Sequence, residues 1–131
     1  MTTKMQCYVE YGKIETKSQV LRNIIETLTG KPLASNTKLE FLQTKAGELI
    51  EAEPKMFLKV VKDPLLETRV LIQQCIESGL ISKKGNYLYL RSDNTPLCEG
   101  GEEPVLSVAA KYLSSPKRQD LKLMLEAKLK Q

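Results

Sequence analysis

Six basic residues in the C-terminal half are the side chains whose types and spacing could do chemistry. They surround a predicted turn at Gly85 or fall on the helices predicted to follow it: Lys83, Lys84, Arg91, Lys111, Lys117 and Arg118. Ammonium and guanidinium groups that converge on one surface bind phosphate oxygens, and such binding weakens steeply with salt. Turns are also exposed to solvent, so the same residues are equally typical of solvated surface side chains. The sequence leaves both interpretations open.

Tyr87 and Tyr89 follow the predicted turn and are two residues apart, which places both rings on one face of a strand. Exposed tyrosines on a strand can stack on nucleic-acid bases. The commoner role of such a pair is to anchor the strand on neighbouring helices. The second role is favoured, and the first remains the alternative.

Other chemistries lack the residues that they need. The chain has no histidine, and its three cysteines, Cys7, Cys75 and Cys98, form no CxxC pair. A zinc site is therefore disfavoured, and Ser-His or Cys-His catalysis is excluded. Acidic residues flank the Gly100-Gly101 pair, and without a second acidic cluster we expect them to favour the start of the next helix rather than to bind a metal. The prediction is a non-enzymatic protein without cofactor or metal.

The composition further limits the size, the possible partners and the location of the protein. With 131 residues, 41% hydrophobic and 27% charged, the chain has the size and balance of one ordinary globular domain. The net charge of +4 is compatible with a polyanionic partner but does not require one. No disulfide framework, signal peptide or membrane-spanning run is present, so we expect a cytoplasmic protein, or a virion protein if a phage encodes it.

The elements that position these residues follow from periodicity. Residues 5–11 alternate like a strand, which predicts an N-terminal strand or arm ending at Gly12. Capping-box spacings at Thr16 and Thr37 predict two amphipathic helices. Their apolar stripes form the core or bury a partner: Val20, Leu21, Ile24, Ile25 and Leu28 on the first, and Leu39, Leu42, Ala46, Leu49 and Ile50 on the second. A short helix over residues 56–61 follows.

The second half has clear start and stop signals. Asp63-Pro64 predicts the start of a helix that ends at Gly79. A short β-ribbon follows, with residues 82–86 as its turn and a third strand possible at Leu97-Cys98. Two helices complete the chain, separated by the cap-plus-proline pair Ser115-Pro116. The fold class is α+β, mainly α, with a C-terminal ribbon packed against helices in a winged-helix-like arrangement.

The run Gly79-Leu-Ile-Ser-Lys-Lys-Gly-Asn-Tyr-Leu-Tyr resembles the small C-terminal domain of the RecA recombinase family. The likeness covers residues 70–130 and includes the diglycine element and the helix that carries Ala109, Ala110 and Tyr112. It implies contact with duplex DNA and places Lys83, Lys84 and Arg91 near phosphate. No Walker A loop is present, so the resemblance implies no ATPase. A fainter resemblance is to small proteins of large tailed bacteriophages.

Two functions follow as expectations. The first is a nucleic-acid-binding or DNA-processing accessory protein that contacts the phosphate backbone through the basic ribbon without reading sequence. The alternative is a structural or adaptor protein, plausibly of a phage virion, that binds a protein partner or its own copy through the N-terminal arm and the helix stripes. The predicted organisation is an N-terminal arm and helix at 1–35 and a compact domain at 36–131, with the ribbon module at 63–131.

Overall fold

A computed structural model describes all 131 residues, Met1–Gln131. The chain forms seven α-helices, one short 3₁₀ helix and one antiparallel pair of strands, which confirms the predicted mainly helical α+β class. The elements are α1 (Thr3–Ile14), α2 (Ser18–Thr29), α3 (Leu39–Ala52), α4 (Pro54–Val61), α5 (Leu66–Glu77), β1 (Ile81–Lys84), β2 (Tyr87–Leu90), α6 (Leu106–Ser114), the 3₁₀ helix (Pro116–Arg118) and α7 (Gln119–Leu129). None of the helices combines the length and the apolar character needed to cross a bilayer.

The chain divides into two compact units, Met1–Leu66 and Glu67–Gln131. The sequence boundary after residue 35 lies between α2 and α3, which pack on each other within the first unit. The ribbon module expected from residue 63 corresponds to the second unit apart from its first four residues.

The first unit is a bundle of α1 to α4. Its buried side chains come from all four helices and include most of the two predicted stripes: Cys7, Leu21, Ile24, Ile25, Leu42, Ala46, Ile50, Phe57 and Val60. The stripes of α2 and α3 therefore build the core of this unit.

The predicted N-terminal strand is wrong, because residues 3–14 form α1. Thr2 caps the helix by accepting a hydrogen bond from the Met5 backbone N–H through Oγ1, at 3.2 Å. The inward face of α1 repeats at helical spacing but includes the polar side chains of Thr3, Gln6 and Glu10 around Cys7. Apolar periodicity therefore could not reveal the helix.

Contacts from α1 fix it to the rest of its unit. The Cys7 thiol donates to the Pro54 carbonyl at 3.1 Å. The Tyr8 hydroxyl donates to Glu51 Oε2 at 2.6 Å, and Lys4 Nζ lies 3.0 Å from Glu51 Oε1. These bonds from Tyr8 and Lys4 hold the pKa of Glu51 below its usual range. The N-terminal segment is thus a packed helix rather than an arm.

One of the four predicted caps forms as predicted. Ser115 Oγ accepts from the Lys117 N–H at 3.2 Å and caps the 3₁₀ helix, which has Pro116 at its first position. Asp63 Oδ1 accepts from the Leu65 N–H at 2.8 Å, but α5 begins at Leu66, so the Asp63-Pro64 pair forms a turn that precedes the helix instead of its cap. The capping boxes at Thr16 and Thr37 are wrong, because the N-cap residues of α2 and α3 are Lys17 and Lys38 and neither provides a side-chain cap. Both threonines lie one position too early in the chain.

The second unit places a ribbon against three helices. A partly buried hydrogen bond links α5 to α6, with the Thr68 and Ser114 hydroxyls 2.8 Å apart. At the end of α5, Gly79 has the left-handed φ of 82° that its predicted role requires. The Leu80 N–H then bonds the Cys75 carbonyl at 2.8 Å, which closes the helix in a Schellman motif and starts the ribbon.

Candidate nucleic-acid interface

The ribbon is a β-hairpin with a two-residue loop. β1 and β2 pair Ile81 with Leu90 at the base and Lys84 with Tyr87 at the tip, and only Gly85 and Asn86 lie between the strands. Gly85 has a φ of 61°, whereas the φ of Asn86 is not positive. A positive φ at the first loop residue alone is the pattern of a type II′ turn. The predicted turn over residues 82–86 is therefore too long, and Lys83 and Lys84 belong to β1.

This register separates the two lysines. Successive side chains on a strand point to opposite faces, so Lys83 shares the inner face with Leu88 and Lys84 shares the outer face with Tyr87. The inner face is buried at Ile81, Leu88 and Leu90. Lys83 and Lys84 therefore do not form the joint phosphate site that the sequence predicts for a turn.

The outer face of the ribbon carries Lys84, Tyr87 and Tyr89. Lys84 Nζ lies 5.2 Å from the centroid of the Tyr89 ring, within cation–π range, and donates to Asn94 Oδ1 at 3.3 Å. Both tyrosines are partly exposed, because Leu88 and Leu90 anchor the ribbon on the helices instead. The favoured role of the tyrosine pair as the anchor is wrong.

Tyr87 is held in place by its hydroxyl. A hydrogen bond with Glu103 raises the pKa of Tyr87, and desolvation and the charge of Glu103 raise it further. The phenol therefore stays protonated at neutral pH and donates to the carboxylate, while its ring is left on the outer face. Glu103 does not act at the start of α6, which has no acidic residue in its first turn.

The segment after β2 folds back along the ribbon. The Leu90 N–H donates to the Thr95 carbonyl at 2.8 Å, and the Leu97 N–H donates to the Leu88 carbonyl at 3.0 Å. The predicted third strand at Leu97-Cys98 is nevertheless wrong, since only a single bridge forms, between Tyr89 and Pro96. Proline has no N–H to extend a ladder. The segment thus covers the edge of β2 and brings Asn94 to Lys84.

Arg91 lies at the base of the ribbon, away from the tip. It lines a cleft of about 160 Å³ together with Ser92 and Lys128. Its backbone N–H donates to the Leu80 carbonyl at 3.0 Å, which continues the ladder by one residue beyond the named strands. The sequence did not single out Lys128 as a neighbour of Arg91, because no local pattern links the two positions.

The remaining basic candidates are dispersed. Lys111 on α6 and Lys117 on the 3₁₀ helix are exposed. Arg118 is half-buried, with Nη2 at 3.3 and 3.2 Å from the two carboxylate oxygens of Glu99 and its guanidinium 4.8 Å from the centroid of the Tyr112 ring. The charge of Arg118 is therefore already paired within this unit.

Two of the three cysteines, Cys75 and Cys98, belong to the second unit. Burial raises the pKa of Cys75 to about 11, and desolvation followed by the charges of Glu102 and Glu99 raises that of Cys98. Both thiols are thus protonated at neutral pH. The side chains of the chain's cysteine, aspartate and glutamate residues form no group of three or more that could hold a metal ion.

Comparisons with protein-family models, with curated proteins and with solved structures return no match for this chain. The resemblance of residues 70–130 to the RecA C-terminal domain, and the fainter one to phage proteins, therefore stay predictions.

Proposed function

We propose that the second unit binds nucleic acid without sequence preference, through the outer face of the ribbon. The observation that carries the proposal is the placement of Lys84 over Tyr89, beside Tyr87, on a strand face that the core does not use. A cation next to partly exposed aromatic rings is a combination by which proteins hold a strand of nucleic acid, with phosphate on the cation and bases on the rings. Splayed bases are available in single strands, so single strands are the preferred form.

The cleft at Arg91 and Lys128 provides a second phosphate position. The two cations line one small concavity at the base of the ribbon, and neither forms an ion pair. The strand rises by about 3.3 Å per residue, which sets roughly 13 Å between the Lys84–Tyr87 pair and Arg91. A bound strand that follows the ribbon from tip to base would meet cations at both ends and the tyrosines between them.

The test is a titration of labelled single-stranded and duplex oligonucleotides at two salt concentrations. We expect wild-type binding to weaken as salt rises, and Lys84→Glu to lower affinity and reduce the magnitude of the salt slope by about one. Tyr89→Ala should weaken single-strand binding by roughly fivefold to more than a hundredfold, the range of one base stack.

Lys59→Glu is the matched control, because it makes the same charge change on an exposed position of α4 in the first unit. It should lower affinity only through the change in net charge. Salt-independent wild-type binding, or an equal loss in Lys84→Glu and Lys59→Glu, would remove the ribbon from the interface.

The adaptor function is the second candidate, and α1 favours it. Met5 and Val9 are four residues apart on α1 and are 55% and 50% exposed, and Met1, which precedes the helix, is 80% exposed. The outward face of α1 therefore presents two apolar side chains. Because α1 is packed in the first unit, deleting it would disrupt that unit. The double variant Met5→Glu and Val9→Glu keeps the helix and should abolish any self-association seen by light scattering. A multimer that survives both changes contradicts this candidate.

A further inference from the structure

A second, chemically different cleft lies on the inner side of the ribbon. It has a volume of about 420 Å³ and lies among the tip of the ribbon, α5 and the start of α6. Its walls include Ile76, Leu88, Val105 and Leu106. The volume falls within the range of small-molecule sites, and such sites are lined mainly by apolar side chains with few polar groups.

The polar side chains that line this cleft are Lys83, Asn86 and Ser107, of which only Lys83 is charged. Lys83 lines it from β1, and its ammonium forms no ion pair or hydrogen bond. Ser107 lines it from the first turn of α6, where the Val105 side chain provides no cap. Uncapped first-turn N–H groups are donors, and they add to the positive potential of Lys83. No carboxylate is among the lining residues.

Leu106 supports an apolar occupant. Leu106 is the first residue of α6 and lines the cleft, and its side chain is 42% exposed. An occupant with an aliphatic body would cover Leu106 and contact Leu88 at the base. A nucleotide would instead set hydroxyl groups and a polar base against these walls, where they would lack partners.

We propose that this cleft binds a small monocarboxylate with an aliphatic body, such as a medium-chain fatty acid. The carboxylate pairs with Lys83 at the mouth, and the chain lies along Leu88, Val105 and Ile76. One cation and an apolar wall fit one negative charge and a hydrocarbon body. This site is independent of the nucleic-acid surface, because Lys83 and Lys84 occupy opposite faces of β1.

Calorimetric titration of the full chain with sodium octanoate, below its micelle concentration, tests the proposal. Saturable one-site binding is expected, with affinity rising roughly fourfold for each methylene from butanoate to octanoate. Octanol, which has the same body without the charge, should bind about tenfold more weakly, as should octanoate to Lys83→Gln. Equal affinity for octanol and octanoate, or no saturable binding, would overturn the proposal.

Two further variants test whether the protein still folds and whether octanoate binds in this cleft. Leu106→Asp puts a carboxylate at the mouth and at the start of a helix that tolerates one, so it should keep the wild-type circular dichroism spectrum and lose octanoate binding. Lys84→Gln removes the neighbouring charge on the other face and should bind octanoate like wild type while losing affinity for oligonucleotide. An equal loss of octanoate affinity in Lys83→Gln and Lys84→Gln would show that general charge attraction, and not this cleft, is responsible.

Discussion

Two adjacent lysines illustrate how little of a residue's chemistry is set by its type. The ammonium of Lys84 lies over the Tyr89 ring and donates a hydrogen bond to Asn94 on the outer face of the ribbon. The ammonium of Lys83, one residue earlier, borders a cleft with apolar walls. Alternation along one strand is enough to place the first on the proposed nucleic-acid surface and the second at the proposed carboxylate site.

The two phenylalanines offer a direct test of packing in the first unit. Phe57 is fully buried, whereas Phe41 is 52% exposed. We expect Phe57→Ala to lower the free energy of unfolding by about 3–5 kcal/mol, from lost burial and the cavity that remains. Phe41→Ala should change it by no more than about 0.5 kcal/mol. Urea denaturation followed by circular dichroism measures both, and comparable losses would contradict the assigned core.

Spacing predicted some residue-level features and failed on others for a physical reason. That Tyr87 and Tyr89 share a face follows from the strand period of two. Which face they share depends on what packs beneath the ribbon, and a sequence motif does not contain that information. The pairing of Arg118 with Glu99 joins residues 19 positions apart and depends on the same tertiary packing.

At the scale of elements, local signals succeeded where the interaction itself is local. Asp63 and Ser115 each accept from a backbone N–H two residues away, so the sequence contains the whole contact. The helix α1 is different, because its alternating apolar residues include Met5 and Val9, which face outward, and its inward face is partly polar. A burial pattern set by α3 and α4 overrode the strand signal.

Gly79 gives a prediction at this scale. A Cβ at this position would meet Arg91 Nη1 at 3.9 Å, an ordinary contact, so a substitution is penalised only by the left-handed φ of 82°. Gly79→Ala should therefore destabilise the second unit by about 1 kcal/mol. Gly79→Asn should lose less, since asparagine tolerates this conformation better. Equal losses, measured by hydrogen exchange of amides in β1 and β2, would show that steric contact and not φ is decisive.

For the whole molecule, the sequence predicted the fold class and most of the buried stripes but not the division into units. Helical periodicity identifies inward faces one helix at a time, and Leu21, Leu42 and Ile50 are buried as expected. The number of cores those faces build depends on contacts between helices. Here α1 to α4 form one compact unit and the ribbon with its helices another, with the division after Leu66.

The sequence indicated which residues could belong to the candidate site, but it did not predict where on the second unit they lie. The six basic residues chosen from sequence all lie in the second unit, yet they are distributed over the two faces and both ends of the ribbon and over two helical segments. Net charge and residue type carry no information on direction, so a single basic patch could not be distinguished from several smaller ones. The proposed interface keeps Lys84 and Arg91 and adds the tyrosines and Lys128.

The two-residue turn at Gly85-Asn86 makes the hairpin intolerant of changes in length. One residue inserted into β1 before Lys83, with the pairing at the base unchanged, would move every later side chain of the strand to the opposite face. Lys83 would then take the place of Lys84 beside the tyrosines, and Lys84 would turn toward the side of the proposed carboxylate cleft. Selection for both surfaces would therefore act on the spacing between Ile81 and Gly85 as strongly as on the lysines themselves.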